Sequence, residues 1–209
     1  MTRLKHLGRL AAVAVTAIAL SGCISLFPKS KPAQLYRFDY GKTAEAPTPP
    51  GATLVGILKL NTGFTKAATG DRILTVTGGG DVAYISEARW ASPASVLFDE
   101  AVDRAFLANP NVRLINRGEV GKSDYVMKLD VTRFEVTYAA PKATPEVLVS
   151  VTGTLTRSGD RSLVSEQTFT RKVRAGDDRQ GAIVTAFGTA TEGVLDDVVV
   201  WAASNTAAP

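Results

Sequence analysis

Apolar residues recur along this chain at two spacings, one strand-like and one helical. Over residues 124–138 they alternate with polar residues, as in a strand with one buried face. The phase breaks midway. Tyr125, Met127, Leu129 and Val131 share one parity, and Phe134, Val136 and Tyr138 the other. A β-bulge near Thr132-Arg133 restores a single apolar face. Residues 146–157 and 163–174 alternate in the same way and are joined by Ser158-Gly159-Asp160-Arg161. The three segments predict an antiparallel meander. Shorter strands are expected at 35–40, 53–60 and 112–116. The second, TLVGILKL, is too apolar throughout for an exposed edge. Residues 71–77 and 81–86 flank Gly78-Gly79-Gly80 and read as a hairpin. A phosphate-cradling loop is the sharper alternative, but no Gly-Lys-Ser/Thr follows and the next element is strand-like.

Helical spacing appears twice. Leu97, Phe98, Ala101, Val102, Ala105 and Phe106 form one stripe, with Asp99, Glu100, Asp103 and Arg104 opposite. Ser92 is placed to cap this helix with Pro93 at its first position, and Asn109-Pro110 ends it. Asp99 and Asp103, one turn apart, read as a solvated face rather than a metal pair. A last helix is expected from about 179 to 203, with Ile183, Phe187, Ala190, Val194, Val198 and Trp201 on one side and Asp177 or Asp178 as cap. Gly181, Gly188 and Gly193 weaken it by roughly 1 kcal/mol each relative to Ala, and read as sites of close packing. Strands run together more than they alternate with helices. The expected fold is α+β: a mainly antiparallel sheet with two helices packed on one face, as a single domain over residues 35–204 followed by a tail at 205–209.

The N-terminus has a different grammar. Arg3, Lys5 and Arg9 precede residues 10–20, which are apolar except for Thr16. Leu20-Ser21-Gly22-Cys23 follows. A spanning helix needs roughly 20 apolar residues, about twice this run. Charged start, short apolar stretch and small residues form a secretory signal. With its cysteine it resembles a bacterial lipoprotein signal. That resemblance implies cleavage after residue 22, a lipid on the thiol and new amino group of Cys23, and membrane anchoring of the mature chain. Residues 23–34, with two prolines and two lysines, read as a tether of about 35 Å reach when extended.

Cleavage changes the charge. Of the 24 basic residues three leave, with none of the 20 acids, so the mature chain carries about +1. A nucleic-acid partner loses its support. The single histidine, His6, leaves too, and the single cysteine is the lipid acceptor. Ser-His-Asp and Cys-His nucleophiles, Cys/His zinc sites and internal disulfides are excluded from the mature chain. No enzyme activity and no cofactor beyond the covalent lipid are expected, although carboxylate or lysine chemistry remains formally open.

The stretch DRILTVTGGGDVAYISEARWASPASVLFDEAVDRAFL carries a second resemblance. Tyr36, Asp71-Arg72, Tyr84 and Ala88-Arg89-Trp90, followed by a Leu-containing helix, resemble the ABC-type transport auxiliary lipoprotein family (the PqiC-like lipoproteins). The departure is Thr75, where members often carry an aromatic residue. The resemblance implies a periplasm-facing lipoprotein that works with an ABC transporter complex and an MCE-domain protein in moving lipids between membranes. A phospholipid or other apolar lipid, and further copies of the chain, are compatible partners. Ile24 after Cys23, in place of Asp, implies sorting to the outer membrane. Asp71, Arg72, Tyr84, Arg89 and Trp90 read either as a partner-binding anchor, since Arg and Trp are enriched in interface hot spots, or as a fold-defining set in which Trp90 fills the core and Asp71 pairs with Arg89. Three functions stay in view: a bridging component of transport, a direct lipid carrier with an apolar cavity between sheet and helices, and a structural or assembly lipoprotein of the envelope.

Overall fold

The computed structural model describes residues 32–42, 54–108, 112–140 and 143–206. The signal segment, Cys23, most of the tether, the Pro-rich loop at 43–53, Asn109-Pro110 and the last three residues lie outside the described residues.

The bulged alternating segment is the centre of the sheet. It forms β7 (Tyr125–Tyr138), and its register shifts between Val131 and Arg133, as the change of phase requires. Met127, Leu129, Val131, Phe134 and Val136 are consequently all buried on one face. β8 (Glu146–Arg157) runs antiparallel along one edge of β7, and β9 (Leu163–Arg174) runs antiparallel on β8, which is the expected meander. The other edge of β7 takes three short strands in succession, all parallel: β2 (Val55–Lys59), β3 (Gly63–Phe64) and β4 (Arg72–Thr77). β6 (Val112–Ile115) lies parallel on β2. β5 (Val82–Trp90) closes the predicted hairpin on β4, and β1 (Gln34–Tyr36) lies parallel on β5. Gly80 has φ 85°, which explains a glycine in that turn.

The fold is α+β as expected, and antiparallel pairing makes the long ladders. The sheet is nonetheless mixed, since five of the eight strand pairings among the described residues are parallel. Alternation reveals which face of a strand is buried, not which strand lies beside it. The two-residue β3 is too short to carry a periodic signal at all.

α1 (Ala94–Leu107) and α2 (Gln180–Thr206) both pack on the apolar face of the sheet. Phe98 of α1 and Phe187 of α2 meet the same ring, Phe134, at centroid distances of 6.2 and 4.8 Å. Ser92 does not cap α1. Pro93 occupies the cap position without a side-chain bond, and the first turn is held from outside, where the Ala94 N–H donates to the Gly70 carbonyl at 2.9 Å. Before α2, Asp177 accepts the Arg179 N–H at 2.9 Å in a local turn. The helix extends through Thr206, past the expected end, because Thr206 is buried and donates to the Ala202 carbonyl.

Close approach of α2 to the sheet comes from the strand side. A Cβ on Gly153 of β8 would meet the Trp201 ring at 2.9 Å. By contrast Gly181 and Gly188 face open space, and Gly193 faces the Arg171 side chain. Asp99 and Asp103 also differ from expectation. They hold the buried Lys59 ammonium, at 3.0 and 2.6 Å, and so fasten α1 to β2.

The segment after β1 is tied to α2 by Tyr40, whose hydroxyl donates to Asp196 at 2.8 Å. Burial, then that hydrogen bond, then the charges of Asp196 and Glu192 hold this phenol far above the ordinary tyrosine value of 10.0. Burial and Asp178 raise Tyr138 in the same direction. Both phenols keep their protons in the folded protein at a pH where the unfolded chain loses them. Their contribution is whole below about pH 10 and declines as pH rises above it, by up to about 1.4 kcal/mol per pH unit for each group. Urea unfolding between pH 9 and 11.5 should show this decline. Tyr40→Phe should make it shallower, leaving the part due to Tyr138, while lowering stability at pH 8 by about 1 kcal/mol through the lost hydrogen bond. Equal slopes for the two proteins would contradict the assignment.

Candidate functional site

Four of the five predicted site residues lie together on the exposed side of the β4–β5 pair, and the fifth lies beneath them. Arg72 and Arg89 are directly opposite in the register. Like charges in that position repel, and each guanidinium has its own remedy. Arg72 lies over the Tyr84 ring, 3.8 Å from its centroid, a cation–π contact. The Tyr84 hydroxyl is fixed by donating to the Ala67 carbonyl at 3.0 Å. Arg89 donates to Asp71 at 3.0 Å, with both side chains about half exposed.

Trp90 points the other way and is 2% exposed. Its indole meets Phe38 edge-on at 5.0 Å and Phe187 edge-on at 5.2 Å. Its backbone N–H donates to the Asp71 carbonyl at 2.7 Å, which sets the height of Asp71 against β5. The alternative readings of the motif thus divide by residue. Trp90 fills the core, whereas Asp71, Arg72, Tyr84 and Arg89 present planar and charged groups to solvent.

The pairing of β4 with β5 is irregular here. Between Arg72↔Arg89 and Leu74↔Tyr84, β5 contributes four residues, 85–88, against Ile73 alone. Glu87 within this wide bulge has φ 58°, an uncommon backbone state for a residue with a Cβ. Gln180, at the start of α2, braces the bulge. Its amide donates to the Ser86 carbonyl at 3.0 Å and accepts from the Tyr36 hydroxyl at 3.1 Å. One side chain therefore links β1, the bulge and α2.

Gln180 and the rings of Phe38, Phe134 and Phe187 were not singled out by the sequence as parts of this site. The three phenylalanines carried a signal, since each falls on an apolar stripe. Gln180 carried none, because a polar residue at a helix start is ordinary. Among the described residues no group of three or more His, Cys, Asp or Glu side chains is placed to hold a metal ion. The arrangement is suited to holding a surface through charge, stacking and hydrogen bonding.

This exposed set should contribute little to folding. Arg89→Ala is expected to cost less than about 1 kcal/mol, the usual value for an exposed ion pair. The urea midpoint measures it, and a loss above about 2 kcal/mol would make the pair a folding element.

A family model described as an ABC-type transport auxiliary lipoprotein component matches residues 41–199. Among solved structures, protein XCC0632 from Xanthomonas campestris is 25% identical, with 82% of this chain and 96% of that one covered and a TM-score of 0.68. The hypothetical protein CT253 from Chlamydia trachomatis is 8% identical, covers 73% of this chain and 98% of its own, and has a TM-score of 0.51, a likeness of fold. No curated protein matches.

Proposed function

The chain belongs to the ABC-type transport auxiliary lipoprotein family, and on that premise we propose that it is the non-enzymatic bridging component of an MCE-associated lipid transport system. Anchored in the outer membrane through Cys23 and facing the periplasm, it holds an ABC transporter complex and an MCE-domain protein in register while lipid moves between the membranes. The observation that carries this reading is the family match over residues 41–199. The preorganised face of Asp71, Arg72, Tyr84 and Arg89 supports it as a docking surface, because Arg and Tyr are enriched where interfaces concentrate binding energy.

The carrier reading is less favoured. It needs an apolar cavity between sheet and helices, and that space holds Phe38, Phe64, Trp90, Phe98, Phe134 and Phe187 packed ring against ring at 4.8–6.3 Å.

Crosslinking in intact cells, followed by detergent extraction of the lipidated protein, should recover an MCE-domain subunit. Arg72→Ala/Arg89→Ala should reduce that recovery while leaving the amount of folded protein unchanged. Cys23→Ala should block lipidation and processing, remove the mature protein from the outer-membrane fraction and lose the adduct. Full recovery of MCE subunit with Cys23→Ala would refute the role of the anchor. Repeated absence of any MCE adduct from the wild-type protein would refute the bridging role.

A further inference from the structure

One edge of the sheet is left open. β9 spans twelve residues, pairs with β8 on one side, and has no strand on the other among the described residues. Open edges of this length are ordinarily shortened, bulged, charged or broken by proline. Here the edge has no proline, its one irregularity lies near its start at Val164, and the charged and polar side chains along the rest are arranged in a self-complementary order.

The backbone dictates how two such edges can meet. Outward-pointing N–H and C=O groups belong to every second residue, so an antiparallel two-fold pairing must be centred on a residue. The registers of longest overlap are centred on Thr168 or on Phe169. Only the second sets Lys172 of one copy opposite Glu166 of the other, twice by symmetry, and Thr168 opposite Thr170, also twice. All four side chains are exposed. Lys172 makes no ion pair among the described residues. The threonine pairs repeat a pattern already present one strand inward, where Ser150–Thr170 and Thr152–Thr168 hydroxyls meet at 2.9 Å.

A groove of about 650 Å³ runs beside this edge, between β9 and α2, lined by Phe169, Arg171, Val200 and Trp201 among others. Val200 is 65% exposed on its α2 side. A neighbouring strand on β9 would close the groove and cover that valine.

We propose that two copies of this chain pair through β9, antiparallel and centred on Phe169, so that the sheet runs continuously from one copy into the other. The interface is isologous, each patch meeting itself. Its dyad is normal to the sheet, so both copies present the same sheet face on the same side. This pairing does not depend on the transport reading, and either can fail alone.

The full lipidated protein in detergent tests it by light scattering after size exclusion. Wild type should be dimeric. Glu166→Lys or Lys172→Glu should each raise the dimer Kd about tenfold or more, by replacing two attractive contacts with two repulsive ones. The exchange variant Glu166→Lys/Lys172→Glu should return to near the wild-type value. Circular dichroism should be unchanged in all three, since both side chains are exposed. Thr168→Cys/Thr170→Cys should yield a disulfide-linked dimer on oxidation. A monomer at every concentration overturns the proposal, and so does an assembly of any size indifferent to both reversals.

Discussion

Phe134→Ala is expected to destabilise the protein by about 3–5 kcal/mol, the usual cost of emptying a large aromatic site in a core. In a domain of this size that corresponds to a fall in Tm of roughly 10–15 °C. The side chain is 1% exposed and lies at the bulge of β7, where the inward face is regained. It touches rings from five other places in the chain: Phe38 at 5.1 Å, Phe64 at 5.4 Å, Trp90 at 6.3 Å, Phe98 at 6.2 Å and Phe187 at 4.8 Å. Neighbours on separate elements cannot all collapse into one cavity, which puts the loss in the upper part of the range. Phe134→Leu should cost much less, since most of the volume stays. Thermal unfolding measures both, and equal losses would show that shape rather than volume is being felt. Trp90→Ala should behave like Phe134→Ala, whereas Arg72→Ala and Arg89→Ala should not. That contrast separates the buried half of the motif from its exposed half.

Removing both carboxylates from Lys59 should be the other severe change. The Lys59 side chain is 5% exposed, and its ammonium meets Asp99 at 3.0 Å and Asp103 at 2.6 Å. Asp99 is positioned in turn by accepting from the Thr62 hydroxyl at 2.8 Å. Asp99→Ala/Asp103→Ala leaves a buried cation without a counter-charge, at a cost of about 3–5 kcal/mol. Lys59→Met, which removes the charge and keeps an apolar side chain of similar length, should stay within about 1 kcal/mol of wild type. Its two aspartates remain half exposed and solvated. The order of the variants is the test. If Lys59→Met is as damaging as the double alanine change, the network attracts as well as compensates. Either single aspartate change should fall between the extremes, because the other carboxylate remains.

Both predictions fall on features that periodicity showed only in outline. Phe134 was legible as an inward residue because the phase of β7 changes around Thr132-Arg133. The five rings around it were not legible as its neighbours. Lys59 sits in an apolar run, and a charged residue there signals a buried partner, but the partner lies 40 and 44 positions away on another element. Asp99 and Asp103 stand opposite the apolar stripe of α1 and so read as solvated, yet that side of the helix reaches Lys59 of β2. At the site, pairing of Asp71 with Arg89 was anticipated. The stacking of Arg72 on Tyr84 depends on the wide bulge of β5, which no alternation reveals.

The sequence by itself determined the longer strand and helix segments, the bulge in β7, the meander and the family, because each is written in local spacing or a local motif. Tertiary structure alone decided which strands lie side by side, that three short strands share one edge of β7, that Trp90 turns inward while Arg89 faces out, and that no strand among the described residues covers the outer edge of β9. These depend on contacts between residues far apart in the chain. Local periodicity fixes only the direction in which a side chain points, and leaves its neighbour to be chosen by packing, hydrogen-bond satisfaction and charge.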